Sequence, residues 1–310
     1  MSVMLEVNNL TKYFNNFKAV SDLSFTVNEG DVYGFLGQNG AGKSTTIRML
    51  LTLIKPNSGQ IKIFGKDIAT HRHELLQQTG AVVERPDHYK YLSAYDNLYI
   101  FAKMSGVPVS RKLIMDQLEM VGLQDRSQSK VKTYSQGMKQ RLGIAVALIH
   151  NPKLIILDEP TNGLDPQGIA DMRMLITRLS KEMGKTIIVS SHLLYEIEQI
   201  ANRMIIIHRG KKIVEGNVAE MLDPAQSIVH LETTNNAAAE ATIAQTDLVN
   251  NCTVLPTHLR LTMNKANVPA LIQLLTNAGI NILVVQPRHS LEDYFLSLTN
   301  TEQHVESTTN

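Results

Sequence analysis

The residues with the clearest capacity for chemistry form a glycine-rich loop: Gly37, Gln38, Asn39, Gly40, Ala41, Gly42, Lys43 and Ser44. Glycines let a backbone curl so that several N–H groups converge on phosphate oxygens. Lys43 supplies a positive charge for the β- and γ-phosphates, and Ser44 a hydroxyl for Mg2+. The bare pattern also arises by chance in glycine-rich turns. Here an apolar segment, 31–36, precedes it and a predicted helix, 45–53, follows it, which favours a Mg-ATP site.

Two neighbouring carboxylates, Asp158 and Glu159, follow the apolar run 154–157. At the end of a strand both side chains can reach a nucleotide bound above the edge of the sheet. An Asp in this place can hold Mg2+ through a water, and the Glu can act as general base toward the attacking water. The alternative is a solvated strand end before a turn at Pro160. The phosphate loop favours the catalytic interpretation.

The elements that must position these residues alternate between apolar strands and helices, which predicts an α/β fold with a mostly parallel sheet covered on both faces. Ligands bind at the carboxyl ends of the strands in such sheets. The predicted strands are 31–36, 154–157 and 186–189, and the predicted helices are 45–53, 110–121, 138–149 and 168–181. Two earlier segments, 5–10 and 20–27, alternate like antiparallel strands, and 203–215 predicts a hairpin around Gly210.

The composition changes after residue 222, and Asp223-Pro224 signals a boundary. We therefore expect an ATPase domain over 1–222, a small α+β appendage over 223–300 and a frayed polar tail over 301–310. The elements expected in the appendage are strands 258–263 and 280–285 and helices 268–276 and 290–298.

Bulk properties narrow the class of protein. The chain has 310 residues, of which 43% are apolar, and a formal charge of +1, which gives no global attraction to nucleic acid or acidic lipid. Its one cysteine, Cys252, excludes an intrachain disulfide and fits a reducing cytoplasm. No secretion signal is apparent, and no apolar run approaches the roughly 20 residues of a membrane helix. Work at a membrane would therefore require docking on another chain.

The motifs, in this order, resemble those of the ATP-binding cassette (ABC) ATPases, the nucleotide-binding subunits of ABC transporters. The resemblance covers residues 3–222 and implies a P-loop NTPase fold with an N-terminal antiparallel β subdomain and a helical signature subdomain. Residues 37–45, including Thr45, match the Walker A motif, and 154–159 match Walker B. By the same resemblance Asp165 belongs to the D-loop, His192 contacts the γ-phosphate, and Tyr13 stacks on adenine. Alone, Tyr13 and His192 would be an ordinary strand aromatic and an ordinary strand-end histidine.

The signature position of the family is occupied by Tyr134-Ser135-Gln136-Gly137-Met138. Ser135 and Gly137 could merely start the next helix, with Ser135 as its N-cap. In the family this helix start comes from the partner subunit and binds the γ-phosphate of the opposite ATP, so Ser135, Gln136 and Gly137 are predicted nucleotide ligands. The resemblance implies a dimer with two ATPs between its subunits and a separate integral-membrane permease. It places the ATPase subunit in the cytoplasm, held at the inner face of the plasma membrane through that permease. It implies no nucleic acid partner.

Two positions depart from the common pattern of the family. The signature is commonly Leu-Ser-Gly-Gly-Gln, whereas Tyr134, Gln136 and Met138 differ here. Glu84 stands where a glutamine usually helps to coordinate Mg2+, and a carboxylate still offers oxygen to that ion. We expect Glu84 to act as a catalytic and Mg2+-binding residue. Arg85 could offset its charge or could simply be solvated.

With these departures and its length, the chain resembles the bacitracin-resistance and lantibiotic-immunity branch of drug-exporter ATPases. Residues 290–296 resemble the tail of that group, although a plain amphipathic helix is the alternative. An ATPase subunit of an exporter is therefore the leading hypothesis. A soluble ABC ATPase acting in repair, translation or assembly is the second, and a cassette that binds without turnover is the third. The intact Lys43, Asp158, Glu159 and His192 argue against the third.

Overall fold

The computed structural model describes residues 2–84, 86–221 and 227–288. The chain divides into two compact units, Met1–Gly216 and Asn217–Asn310. The division predicted between residues 222 and 223 falls among residues that are not described and stays a prediction.

The first unit opens with an antiparallel sheet in the order β2-β1-β4-β5. Its strands are β1 (Val3–Phe14), β2 (Phe17–Asn28), β4 (Ser58–Ile63) and β5 (Lys66–Asp67). The two strands predicted at 5–10 and 20–27 are confirmed but are longer, because their pairing continues up to the turn between Phe14 and Phe17.

The central sheet has the order β10-β9-β3-β8-β7-β6, and β9, β3, β8, β7 and β6 run parallel. Its strands are β3 (Val32–Leu36), β6 (Thr79–Val82), β7 (Leu154–Asp158), β8 (Thr186–Ser191), β9 (Arg203–His208) and β10 (Lys211–Asn217). Tyr33, Phe35 and Ile156 share a core with the antiparallel sheet. Gly34 faces the other way, where an added Cβ would lie 2.3 Å from Ile197 of a covering helix. Burial on both faces explains the continuous apolar runs of these strands.

Seven helices are described in the first unit. They are α1 (Lys43–Leu50), α2 (Ile68–Leu76), α3 (Ala94–Met104), α4 (Arg111–Met120), α5 (Gln136–Leu148), α6 (Pro166–Lys181) and α7 (Leu194–Ile200). The helices α3, α4 and α5 pack on one another and form the expected helical subdomain. Helix α1 begins at Lys43, two residues before the predicted start, because the last residues of the glycine loop already turn into it.

The second unit has the order β11 (Ser227–Thr233), α9 (Asn236–Ile243), β12 (Asn251–Val254), β13 (Leu259–Met263), α10 (Val268–Asn277) and β14 (Ile282–Arg288), after the short α8 (Val218–Met221). Its antiparallel sheet has the order β12-β13-β11-β14. This is the split βαβ, or ferredoxin-like, arrangement. It confirms the predicted α+β character. The helix predicted at 290–298 and the tail lie outside the described residues.

Candidate nucleotide-binding and catalytic site

The glycine loop connects the end of β3 to the start of α1. Gly42 has φ 104°, and a Cβ there would lie 2.6 Å from the carbonyl oxygen of Ala19, so only glycine fits. Lys43 is 5% exposed, and its Nζ donates a 2.6 Å hydrogen bond to the carbonyl oxygen of Gly37. The same Nζ lies 3.2 Å from Oε1 of Glu159. The glycine loop and Glu159 are thus in contact, as expected for residues at the carboxyl ends of parallel strands in one sheet.

Short hydrogen bonds among side chains and backbone connect the ends of β7 and β8. Oδ1 of Asp158, which is 2% exposed, accepts a 2.6 Å hydrogen bond from the hydroxyl of Ser190. That hydroxyl also accepts a 2.9 Å bond from the backbone N–H of Glu159. Oε2 of Glu159 lies 2.7 Å from Nδ1 of His192. A carboxylate, an imidazole and an ammonium group therefore meet at one edge of the sheet, the arrangement required of a general base beside a phosphate site.

Two adjoining cavities open at this edge, and both are lined by Ser44, Glu159 and Asn162. The first, of about 630 Å³, is also lined by Glu84, Gln136, Gln140, Asp158 and Gly163. The second, of about 300 Å³, is also lined by Phe14, Phe17, Ala19, Gln38, Asn39, Gly40, Gly42, Lys43 and Thr45.

The aromatic residue beside the glycine loop is not the one predicted. Phe14 and Phe17 line the smaller cavity, whereas Tyr13 lines neither of the two. The ring of Tyr13 instead lies under Nζ of Lys18, at 5.5 Å. Neighbouring side chains on a strand point to opposite sides, so only one of the adjacent pair Tyr13 and Phe14 can face the loop. The sequence shows both aromatics, and only the course of β1 decides between them.

Glu84 lines the larger cavity together with Ser44 and Asp158, as its predicted role requires. Its carboxylate pairs with the guanidinium of Arg48 on α1. Arg85, which the sequence leaves as either a partner of this charge or a solvated residue, lies outside the described residues. Arg48 was missed because it lies within the helix after the glycine loop, where nothing in the pattern connects it with residue 84.

Pro86 and His88 contact α5. A Cβ on Gly143 would lie 2.7 Å from Pro86, so the helix needs a glycine at this contact. Nε2 of His88 lies 3.0 Å from the carbonyl oxygen of Lys139. Burial lowers the pKa of His88, which favours the neutral ring, and its Nε2–H then donates to that carbonyl.

The signature residues occupy the start of α5. Ser135 is exposed and caps the helix, accepting a 3.3 Å hydrogen bond from the N–H of Met138. Gln136 lines the larger cavity, whereas Ser135 and Gly137 line neither. Asp165 similarly caps α6 through the N–H of Gly168, at 3.0 Å, and lines neither cavity. Nucleotide contacts by Ser135, Gly137 and Asp165 stay predictions.

Comparisons with known proteins agree with this geometry. Residues 20–162 match the family model described as ABC transporter. The bacitracin transport ATP-binding protein BcrA of Bacillus licheniformis is 43% identical over 96% of this chain and 98% of its own. The lantibiotic transport ATP-binding protein SrtF of Streptococcus pyogenes is 43% identical over 68% of this chain and 90% of its own.

The chain belongs to the ABC transporter family of ATP-binding subunits. It binds and hydrolyses ATP, and the predicted family, branch and fold are confirmed. The first unit is similar to a dimeric ATP-binding cassette solved with ADP and Pi, with 26% identity and a TM-score of 0.62 over 69% of this chain and 99% of that one. The comparisons do not support the alternative of a soluble ATPase without a role in transport. Among the described helices of this ABC subunit, none is long and apolar enough to cross a membrane.

Proposed function

We propose that two copies of this ABC subunit enclose Mg-ATP between them and use its hydrolysis to drive a separate export permease. The main support for the proposal is the contact of Glu159 with both Lys43 and His192. Oε1 of Glu159 lies 3.2 Å from Nζ of Lys43, and Oε2 lies 2.7 Å from Nδ1 of His192. These groups meet where the glycine loop can hold the phosphates.

The nucleotide is bound by the glycine loop, with its base beside Phe14. The N–H groups of residues 38–45 surround the phosphates, and the N-terminal end of α1 adds its positive dipole. Phe14 is 45% exposed at the rim of the smaller cavity, so its ring is free to stack on adenine. Phe14 replaces Tyr13 in this role.

The residues around the larger cavity fit Mg2+. Ser44, Glu84 and Asp158 bring a hydroxyl and two carboxylates to one cavity. In nucleotide sites Mg2+ usually binds one or two carboxylates together with phosphate oxygens. Bound Mg2+ neutralises charge on the β- and γ-phosphates. Ser44 would ligate the ion directly, Asp158 through a water, and Glu84 with a carboxylate oxygen.

Glu159 takes the proton of the attacking water, and His192 holds Glu159 in place. The contact between Nδ1 of His192 and Oε2 of Glu159 fixes the orientation of the carboxylate and leaves Nε2 of the ring for the γ-phosphate. Lys43 binds the phosphate from the other side.

The second copy supplies Ser135 and Gly137, which line neither cavity of their own chain, whereas Gln136 lines the larger cavity of its own chain. A helix N-terminus with small residues attracts anions, and α5 is 13 residues long, enough to have a full terminal dipole. ATP would thereby join the subunits, and hydrolysis at Glu159 would release them.

The cargo is proposed from the relatives, whose names state transport of bacitracin and of lantibiotics. We extend this to export of a peptide or lipid-linked antimicrobial compound, with the subunit attached to the inner face of the plasma membrane through the permease.

Co-expression of the chain with its candidate permease tests this function. We expect the two to copurify from membranes and the ATPase activity of the complex to rise when bacitracin or a lantibiotic is added. A chain that remains off the membrane when the permease is present would contradict the transport assignment. A stable complex that responds to neither compound would contradict only the cargo.

A further inference from the structure

Glu196 is a buried carboxylate that the site described so far does not use. It lies on α7 and is 6% exposed. Its Oε2 accepts a 2.6 Å hydrogen bond from the hydroxyl of Thr161 and a 2.8 Å bond from the hydroxyl of Ser191. Hydroxyl bonds to a carboxylate are short and strong, and removing their acceptor leaves two buried donors to be satisfied elsewhere.

The two hydroxyls belong to the two segments that carry the catalytic pair. Thr161 follows Glu159 by two residues, and Ser191 immediately precedes His192. Glu196 therefore joins the same two segments as the contact between Glu159 and His192, but from the side of α7. Its carboxylate is engaged with these two hydroxyls, and Glu196 lines neither of the two cavities at the edge of the sheet.

The backbone of Glu159 needs such support. Its φ of 50° lies in the left-handed region, which a glutamate adopts only when its surroundings hold it there. On one side the hydroxyl of Ser190 binds the N–H of Glu159, at 2.9 Å. On the other side the bond from Thr161 to Glu196 fixes the chain just beyond the strained residue.

We propose that Glu196 is a positioning residue, which sets the distance between the general base Glu159 and His192 through the hydroxyls of Thr161 and Ser191. The proposal rests on the catalytic roles given above to Glu159 and His192. Because Glu196 lines neither cavity and acts through the two hydroxyls, we expect its loss to lower the rate of hydrolysis and to leave the binding of ATP unchanged.

A pair of substitutions at Thr161 separates this role from general stability. Thr161→Val keeps the shape of the side chain and removes the hydroxyl, whereas Thr161→Ser keeps the hydroxyl. We expect Thr161→Val and Glu196→Met, which removes the accepting oxygen and keeps the length of the side chain, to lower kcat by about tenfold to a hundredfold, as small displacements of catalytic groups do, with the KM for ATP within about twofold. Thr161→Ser should restore most of the rate. Glu182→Gln, which changes an exposed carboxylate on the surface, serves as the control and should leave kcat unchanged.

Single-turnover hydrolysis of Glu196→Met is then measured in the wild-type background and in a Glu159→Gln background. Since Glu196 acts through Glu159, the second substitution should add less than about twofold when the base is already absent. Equal losses in both backgrounds would overturn the proposal, as would a Thr161→Val variant with wild-type kcat or a Thr161→Ser variant as slow as Thr161→Val. If Glu159→Gln alone retained wild-type turnover, the proposed function of the site would fail instead, which keeps the two failures distinguishable.

Discussion

The ends of β7 and β8 and the start of α5 differ in burial within one chain. By the proposed function the strand ends bind the ATP of their own chain, and the start of α5 binds the ATP of the second copy. At the strand ends Lys43 and Asp158 are buried, and Glu159 is joined to both Lys43 and His192. At the helix start Ser135 is exposed, and its hydroxyl accepts a hydrogen bond from its own helix.

The difference indicates that the strand ends serve catalysis and that the helix start serves contact with the second subunit. General-base chemistry requires groups fixed to within fractions of an ångström, and the buried contacts at the strand ends provide this. A helix start that must meet a phosphate on another subunit needs access instead, so its small residues stay at the surface.

Loss of the general base should have the largest effect. Glu159→Gln keeps the size of the side chain but removes its basicity, so kcat should fall by about a thousandfold, within the range for general-base catalysis. ATP binding should persist, and size exclusion should show an ATP-dependent dimer. Near-normal turnover in this variant would remove Glu159 from its role.

A charge at the helix start should have the next largest effect. Ser135→Asp keeps a good N-cap for α5 but brings a carboxylate toward the γ-phosphate, and we expect turnover to fall by about a hundredfold with little change in melting temperature. Ser135→Thr keeps both hydroxyl and cap and serves as the control. If Ser135→Asp were as active as Ser135→Thr, the serine would be only a helix cap.

Removal of the carboxylate at residue 84 should be milder. Glu84→Ala should raise the Mg2+ concentration needed for half-maximal ATPase activity by about tenfold, because one oxygen ligand is lost. Glu84→Gln retains an oxygen and should remain close to wild type. Mg2+ titration of ATP binding, followed apart from turnover, checks the result. A Glu84→Ala variant equal to wild type would exclude residue 84 from the metal site.

Removal of the aromatic ring should have the smallest effect. Phe14→Ala should weaken ATP binding by about threefold to tenfold, the range expected for loss of an aromatic contact. Tyr13→Ala should change it by less than about twofold, because that ring lies under Lys18 and not at the cavity. Equilibrium binding of a fluorescent ATP analogue measures both. The opposite order would restore the original assignment of Tyr13.

Most of the fold and the phosphate site could be predicted from the sequence because backbone geometry dictates the pattern. Gly42 has to be glycine, and the apolar runs of β7 and β8 have to be buried on both faces. Contacts between side chains distant in sequence could not be predicted in this way. The pairing of Glu84 with Arg48, and the bonds of Glu196 to Thr161 and Ser191, depend on packing that no spacing rule encodes.

The second unit shows the same limit. Its apolar periodicity predicts an α+β appendage. No element is predicted for the segment 233–244, which is rich in Asn, Ala and Thr, although this segment contains α9. Asn235 caps that helix through the N–H of Ala238, at 3.1 Å, and Ala239 and Ile243 bury its face against the sheet. A capping hydrogen bond and two buried residues are thus enough to form a helix where the apolar pattern of the sequence is weak.

Whether each ATP is shared between two copies of the chain is tested most directly by mixing two inactive variants. Glu159→Gln lacks the base, and Ser135→Asp lacks a working helix start, so each homodimer should be nearly inactive. A mixed dimer pairs the intact strand ends of one copy with the intact α5 of the other, and an equal mixture should recover about a quarter of wild-type ATPase activity if the sites work independently. A mixture no more active than the sum of its separate components would show that the strand ends and the helix start do not meet across the dimer.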